Sequence, residues 1–417
     1  MPTQALPLRP RISPALGTAG LLLALNLLNY IDRYILSGEI SPIQHELHAT
    51  DQQMGALGTA FFFVYMLAAP ATGWLGDRFS RKPLIVAGAT LWSFATLAAV
   101  WIHSYPTLFF RQALVGIGEA TFGIFAPAVL ADFYPERERN RVLSIFYVAI
   151  PVGAALGYLA GGQIGSMWGW RAPFLICAVP GFILALLYAW IGREPERGAS
   201  DHIHADLSRN TVVGIFRNKA FLTATLGLAM LTFAMGGISW WVPEFLRRSV
   251  GMSMGSASMT VGATTVIDGI AGTLIGGWIA QIWLRRNHRA LYLLSAWSVL
   301  LTLPFGILLF FGPHSWAIPS LFAAEFFLFL NTGPLNTAIV NSVSAPVRAT
   351  AISINLLCIH LLGDTFSPQI IGAVSDRTNL GIGLGSTLVT LAISTTILFA
   401  GARFAPVLEE RVEEPAG

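Results

Sequence analysis

The chain has 417 residues, 54% of them hydrophobic and 11% charged, with a formal net charge of +3. A typical soluble domain carries about 25% charged residues, so this chain cannot build a water-compatible globular surface. The small basic excess belongs to the loops and gives no reason to invoke nucleic acid. The apolar residues gather in long blocks, and about 20 consecutive apolar residues cross the hydrocarbon core as a helix. In chain order the predicted spans are 16–37, 53–76, 83–102, 106–131, 142–165, 172–191, 219–243, 254–281, 290–311, 315–341, 349–373 and 382–404. None alternates in polarity with period two, which argues against a β-barrel. The expected fold class is an all-α polytopic membrane protein of twelve helices.

The segments between the spans set an expected orientation. Arg9 and Arg11 precede the first span in an arm without an apolar core and cleavage site, so that span is expected to be retained. Arg78, Arg81 and Lys82 follow the second span, and Arg137, Arg139 and Arg141 the fourth. The polar stretch "GREPERGASDHIHADLSRN" (Gly192 to Asn210) follows the sixth. Arg285, Arg286 and Arg289 follow the eighth, Arg348 the tenth, and Arg403 and Arg411 the twelfth. Most of the 25 basic residues thus share the N-terminal side. Basic residues of short loops stay cytoplasmic, which predicts both termini inside. Arg171, Arg247, Arg248 and Arg377 lie at outer ends, and Arg33 and Arg111 within spans. The polar stretch divides the chain into a first bundle (1–191), a cytoplasmic linker (192–217), a second bundle (218–405) and a cytoplasmic tail (406–417). His202 and His204 read as solvated linker, and Cys177 and Cys358 as small buried hydrophobes. No metal-ligand cluster, nucleophile elbow or phosphate-cradling loop occurs. No metal, cofactor, catalytic residue or enzyme activity is therefore expected.

The two halves echo each other. "GWLGDRFSRK" (Gly73 to Lys82) follows the second span and "GWIAQIWLRR" (Gly277 to Arg286) the eighth, with Gln281 where the first copy has Asp77. Repeated halves are a common construction of transporters, with substrate bound near the bilayer midplane between them. "GWLGDRFSRK" resembles the loop signature of the major facilitator superfamily. "LNYIDRY" (Leu28 to Tyr34), "LVGIGEATFGIFAPAVLADFY" (Leu114 to Tyr134) and "HLLGDTFSPQIIGAVSD" (His360 to Asp376) resemble, more narrowly, the spinster family of lipid transporters. The resemblance implies two pseudo-symmetric six-helix bundles and a bacterial-type member of the family, acting as a monomer in the inner membrane. It also implies an intracellular gate made by Gly73, Asp77, Arg78, Arg81 and Lys82. In that gate Asp77 would sit against the N-terminal end of the eleventh span near Arg348 and Ala349, holding the inner side shut.

A charge at mid-bilayer costs ~2.5 to 3.5 kcal/mol and by default marks a pathway. Asp32 and Arg33 lie inside the first span, Arg111, Gln112 and Glu119 in the fourth. Gln112 and Glu119, seven apart, share a helix face, from which Arg111 is rotated by roughly 80°. The resembled pattern places Arg where this chain has Gln112. Arg111 is therefore expected to swing across and pair with Asp32 or Glu119; otherwise the site lacks its usual cation. A permanent Asp32–Arg33 pair is the alternative reading for those two. Buried carboxyls can take up or release protons as their surroundings change, so Asp32 and Glu119 are the candidate proton-coupling groups. A candidate second-half cavity comprises Asp268, Glu325, His360 and Asp364, with Ser353, His360, Asp364 and Ser367 near one helical stripe. Asn331, Asn336 and Asn341 around Pro334 suggest a bend, and Gly153, Gly157 and Gly161 a close helix seam.

Apolar, aromatic walls around a few charges suit an amphipathic small molecule with a charged head. By resemblance its class is lysophospholipid or sphingolipid. The expected function is secondary transport by alternating access, coupled to protons. A drug or metabolite proton antiporter on the same fold is the alternative, and a membrane receptor the non-transporting one.

Overall fold

The computed structural model of the protein describes residues 14–134, 136–195, 214–343 and 348–407. The first half contains α1 (Pro14–Ile35), α2 (Asp51–Arg78), α3 (Arg81–Ala98), α4 (Tyr105–Phe133), α5 (Glu136–Leu159) and α6 (Arg171–Ile191). The second contains α7 (Lys219–Arg248), α8 (Met254–Leu284), α9 (Ala290–Phe311), α10 (Ala317–Leu330), α11 (Arg348–Ile359) and α12 (Leu380–Gly401). Three spans continue past an interruption. A wide π turn at Ala160–Ile164 carries α5 into Gly165–Trp168, and another at His360–Asp364 carries α11 into Ser367–Arg377. α10 breaks at Asn331, the first of the three asparagines around Pro334, and resumes over Thr332–Asn341. With these continuations counted, the described residues hold twelve spans long and apolar enough to cross a membrane, and their ends fall within a few residues of those expected. The tail from 408 and the linker from 196 to 213 lie outside the described residues.

Local signals explain where the spans begin. Thr50 and Gln53 cap α2 reciprocally: Thr50 Oγ1 accepts from the Gln53 amide and the Thr50 amide donates to Gln53 Oε1. Asn218 and Asn379 cap α7 and α12, accepting from Phe221 N and Ile382 N. The glycine stripe packs α5 onto α1, where a Cβ on Gly157 would stand 2.5 Å from the Ile31 carbonyl oxygen.

An even number of crossings puts both ends of the described chain on one face, here the terminal face. The 36–50 connection lies on the opposite face, where a short helix, Ile40–Leu47, joins α1 to α2. The halves are tied together there. Asp376 accepts from the amides of Asp51 and Gln52, both at 2.8 Å. Arg248 donates from Nη1 to Asp51 Oδ2 (2.8 Å) and from Nη2 to Asp51 Oδ1 (2.9 Å) and to Gln44. Ser375 donates to Asp51 Oδ2 (2.6 Å). Gly55 meets Pro368 so closely that a Cβ would strike the Pro368 carbonyl. The apolar core follows the same division. From Leu28, Ile35 and Met54 it runs without a break into Trp241, Leu246 and Ile371 of the second half. Toward the terminal face, the first half has a core of its own around Leu22, Trp92, Phe122 and Tyr188. The molecule is closed at the opposite face.

Candidate functional site

Consecutive residues on a helix point about 100° apart, and α1 uses this to send Asp32 and Arg33 into different surroundings. Asp32 is buried, accepts from Thr96 Oγ1 of α3 at 3.3 Å, and has no hydrogen-bond partner for Oδ1. Arg33 turns toward α2 and α4. Its Nη2 donates to Glu119 Oε2 at 2.7 Å and its Nε to the same oxygen at 3.1 Å. Its guanidinium lies over the rings of Tyr30 (4.7 Å), Phe61 (4.9 Å) and Tyr65 (5.7 Å). The two neighbours do not form a pair with each other.

The expected pairing of Arg111 with Asp32 or Glu119 does not form. Arg111 donates from Nε to the Ala95 carbonyl (2.9 Å) and from Nη1 to Gln112 Oε1 (2.7 Å), and stacks over Phe174 of α6 at 4.9 Å. The 80° rotation decides this: Arg111 faces α3 and α6, whereas Glu119 faces α1. Gln112 therefore serves as a fixed acceptor for Arg111. The cation that neutralises Glu119 comes from α1, 86 residues away in sequence.

The first-half charges connect to the second half through aromatic rings. Tyr65, which touches Arg33, also lies 6.2 Å from the His360 ring, and Phe62 stacks on His360 at 6.1 Å and 21°. His360 Nδ1 is 3.0 Å from Asp364 Oδ1. The expected stripe through Ser353, His360, Asp364 and Ser367 is interrupted, because His360–Asp364 is the π turn and Gly363 leaves helical geometry (φ −105°, ψ −107°). Asp268 and Glu325 form a separate group between α8 and α10. Both are buried, and each has one carboxylate oxygen without a hydrogen-bond partner.

At the terminal face, Gly73 has open space where a Cβ would point, and Arg78 lies 3.8 Å over the Trp74 ring. The side chains of Asp77, Arg348 and Ala349, and hence the expected latch, lie outside the described residues. Arg81 pairs with Asp132 at 2.6 Å. Glu194, which reads in sequence as mere linker, caps α3: it accepts from the amides of Arg81 (2.7 Å) and Lys82 (3.0 Å) and from Ser80. Burial pushes its carboxyl up, but those hydrogen bonds outweigh it and hold the group below the usual range. A lowered pKa stabilises above the unfolded value and is lost as pH falls. Glu194→Ala is expected to cost about 1 kcal/mol, as for a lost helix cap. Thermal unfolding at neutral and acidic pH checks it, since the difference between the proteins should shrink in acid.

Sequence reasoning also missed Glu39, Asp51 and Glu244, and used Arg248 only for orientation. Charges near span ends look ordinary in sequence; the capping pattern around Thr50 was the available signal for Asp51.

Comparison with known proteins gives a family. A sequence model described as Major Facilitator Superfamily matches residues 22–368. The chain is 33% identical over 387 residues to "Protein spinster homolog 1" of Xenopus tropicalis, covering 87% of this chain and 73% of that protein. It is 31% identical over 379 residues to "Sphingosine-1-phosphate transporter SPNS2" of the same organism, covering 87% and 74%. In fold it is similar to a bacterial homologue of the human lysosomal transporter spinster, solved in an inward-facing, unoccupied conformation. That match has a TM-score of 0.83 at 22% identity and covers 95% of this chain and 98% of the other.

Proposed function

The chain belongs to the major facilitator superfamily and, within it, to the spinster family, and from that premise we propose that it carries an amphipathic lipid coupled to protons. The lipid would be of the lysophospholipid or sphingolipid class, moved by alternating access. A relative named as a sphingosine-1-phosphate transporter supports the lipid class. The terminal face, richer in Lys and Arg, is assigned to the cytoplasm, with both termini inside, and the transporter is taken to act as a monomer. With the opposite face closed, the substrate path is assigned to the cytoplasmic side. The Asp77 latch keeps its proposed role of closing that side.

The observation that carries the coupling is the ion pair between Arg33 and Glu119, set among Tyr30, Phe61 and Tyr65. A guanidinium binds carboxylate and phosphate with the same planar fork of donors. Arg33 can neutralise Glu119 or an anionic headgroup, but has one fork to offer. When Glu119 takes a proton it no longer needs Arg33, which is then free for the lipid. When Glu119 loses that proton it recaptures Arg33 and displaces the headgroup. Proton and headgroup thus bind together, while the aromatic walls accept the apolar tail. Asp32, with one oxygen unpartnered, is the second proton carrier.

The test is lipid flux in proteoliposomes under an imposed pH gradient. Asp32→Asn and Glu119→Gln are expected to lose the gradient-driven component, with lysophospholipids and sphingoid phosphates preferred over water-soluble drugs. Gradient-driven flux retained in both variants would overturn the coupling, and binding without flux would point to a receptor.

A further inference from the structure

Glu39 stands at the opposite face where α1 ends and the helix Ile40–Leu47 begins. It has no exposed surface. Its backbone is satisfied, with the amide donating to Leu36 O (3.0 Å) and the carbonyl accepting from Ile43 N (3.3 Å). Its side chain is not: neither carboxylate oxygen has a hydrogen-bond partner. The carboxyl lies against the backbone of Gly165, where a Cβ would collide with Oε1. Just before it, Gly38 presses on Gly161 and Gly162 of the α5 π turn, and Gly162 in turn meets Ser258 of α8 in the other half. Glu39 is therefore buried beside the seam along which the halves must part.

Among the described residues no charge answers it. At this end of the surrounding elements the titratable and charged side chains are Tyr34 on α1, Tyr158 on α5, Arg171 opening α6, Asp51 opening α2, Glu244, Arg247 and Arg248 ending α7, and His45 and Glu46 on its own helix with His48 capping it; the first turns of α8 carry none, and Asp32, Arg33 and Asp268 lie deeper in their spans. Arg171 is held by Glu46, and Arg247 and Arg248 by Glu244, with Arg248 also on Asp51. Tyr158 donates to the Ser239 carbonyl. Burial alone, with no opposing partner, pushes the Glu39 carboxyl up to about 9. An ionised carboxylate without a partner is among the costliest groups to bury, so the packed side chain is the neutral acid.

We propose that Glu39 is a further proton-binding site, apart from Asp32 and Glu119, which holds its proton while the opposite face is closed and releases it when that face opens to water. This rests on the alternating-access reading but goes beyond the Asp32 and Glu119 site, from which it is separate in position and partners. The mechanical connection is short: the helix that Glu39 starts carries Gln44, which donates to Asp51 (2.7 Å) and accepts from Arg248, so it ends in the clamp between the halves. The sign follows from linkage. The closed form binds the proton and the open form, with a solvated carboxyl, does not. Between the ordinary carboxylate value and about 9, each rise of one pH unit favours opening by as much as about tenfold. Below the ordinary value both forms are protonated and the dependence vanishes.

Spin labels at His103→Cys and Arg377→Cys, one on each half of the opposite face, with Cys177 and Cys358 replaced by Ser, would read the opening in nanodiscs. In the otherwise wild-type protein the long-distance population should grow from about pH 5 to about pH 9. In Glu39→Gln, which has the shape of the neutral acid, the population should stay closed and lose most of that dependence. Glu39→Asp, which keeps an acid, should restore it. The same pH response in Glu39→Gln as in the parent, or no response in the parent, would overturn the proton site while leaving transport intact. A single distance at every pH and with every added lipid would instead overturn alternating access, and the site with it.

Discussion

Arg33→Ala is expected to abolish lipid flux and to destabilise the protein by about 3 to 5 kcal/mol, the cost of leaving a buried charge without its partner. Glu119 has no exposed side-chain surface, and Arg33 supplies its hydrogen bonds at 2.7 and 3.1 Å. Adding Glu119→Gln removes the stranded charge. The double variant should therefore regain most of the lost stability while remaining inactive, because the fork that would hold the headgroup is still missing. Thermal unfolding and proteoliposome flux on the three proteins separate the two contributions. Equal stability of Arg33→Ala and wild type would show that Glu119 does not depend on this pair. Recovery of flux in the double variant would show that Arg33 does not hold the lipid.

Asp51→Ala is expected to shift the protein toward opening at the opposite face. It removes acceptors for Arg248, Gln44 and Ser375 in one step, two of them reaching across from the other half. Arg248 is part-exposed, with 29% of its side-chain surface accessible, so solvent screening reduces the value of each contact. The expected differential between the two states is about 1 to 3 kcal/mol, or roughly 5- to 150-fold in their ratio. A cysteine at Ser258, buried at the seam against Gly162, should then react faster with a membrane-impermeant maleimide applied to the opposite face. Arg248→Ala should act in the same direction, and the two changes combined should fall short of additive because they remove one shared interaction. An unchanged labelling rate in both would mean the clamp is not what holds the halves together.

Asp32, Arg33, Arg111 and Glu119 were legible because a charge inside an apolar run stands out by its cost. Their partners were not. Whether Arg33 or Arg111 reaches Glu119 depends on how α1 and α4 are rotated against each other, and the 80° offset along α4 could exclude a partner without naming the right one. The α11 stripe was misjudged for a related reason: a π turn at His360–Asp364 shifts the register of everything beyond it. Glu39 and Asp51 escaped notice because charges are common at the ends of spans. Only packing shows that one is sealed against Gly165 and the other bridges the halves.

The amino-acid order alone determined twelve crossings, their approximate ends, the repeat of two halves and the residues whose burial demands a reason. Lipid solvation imposes these along the chain, since each helix must be apolar for its whole length and must satisfy its own backbone. Which charges meet, which face is closed and where an acid lies without a partner were decided by how the helices pack. Those are distances between residues 86 to 325 positions apart, and no local pattern encodes them.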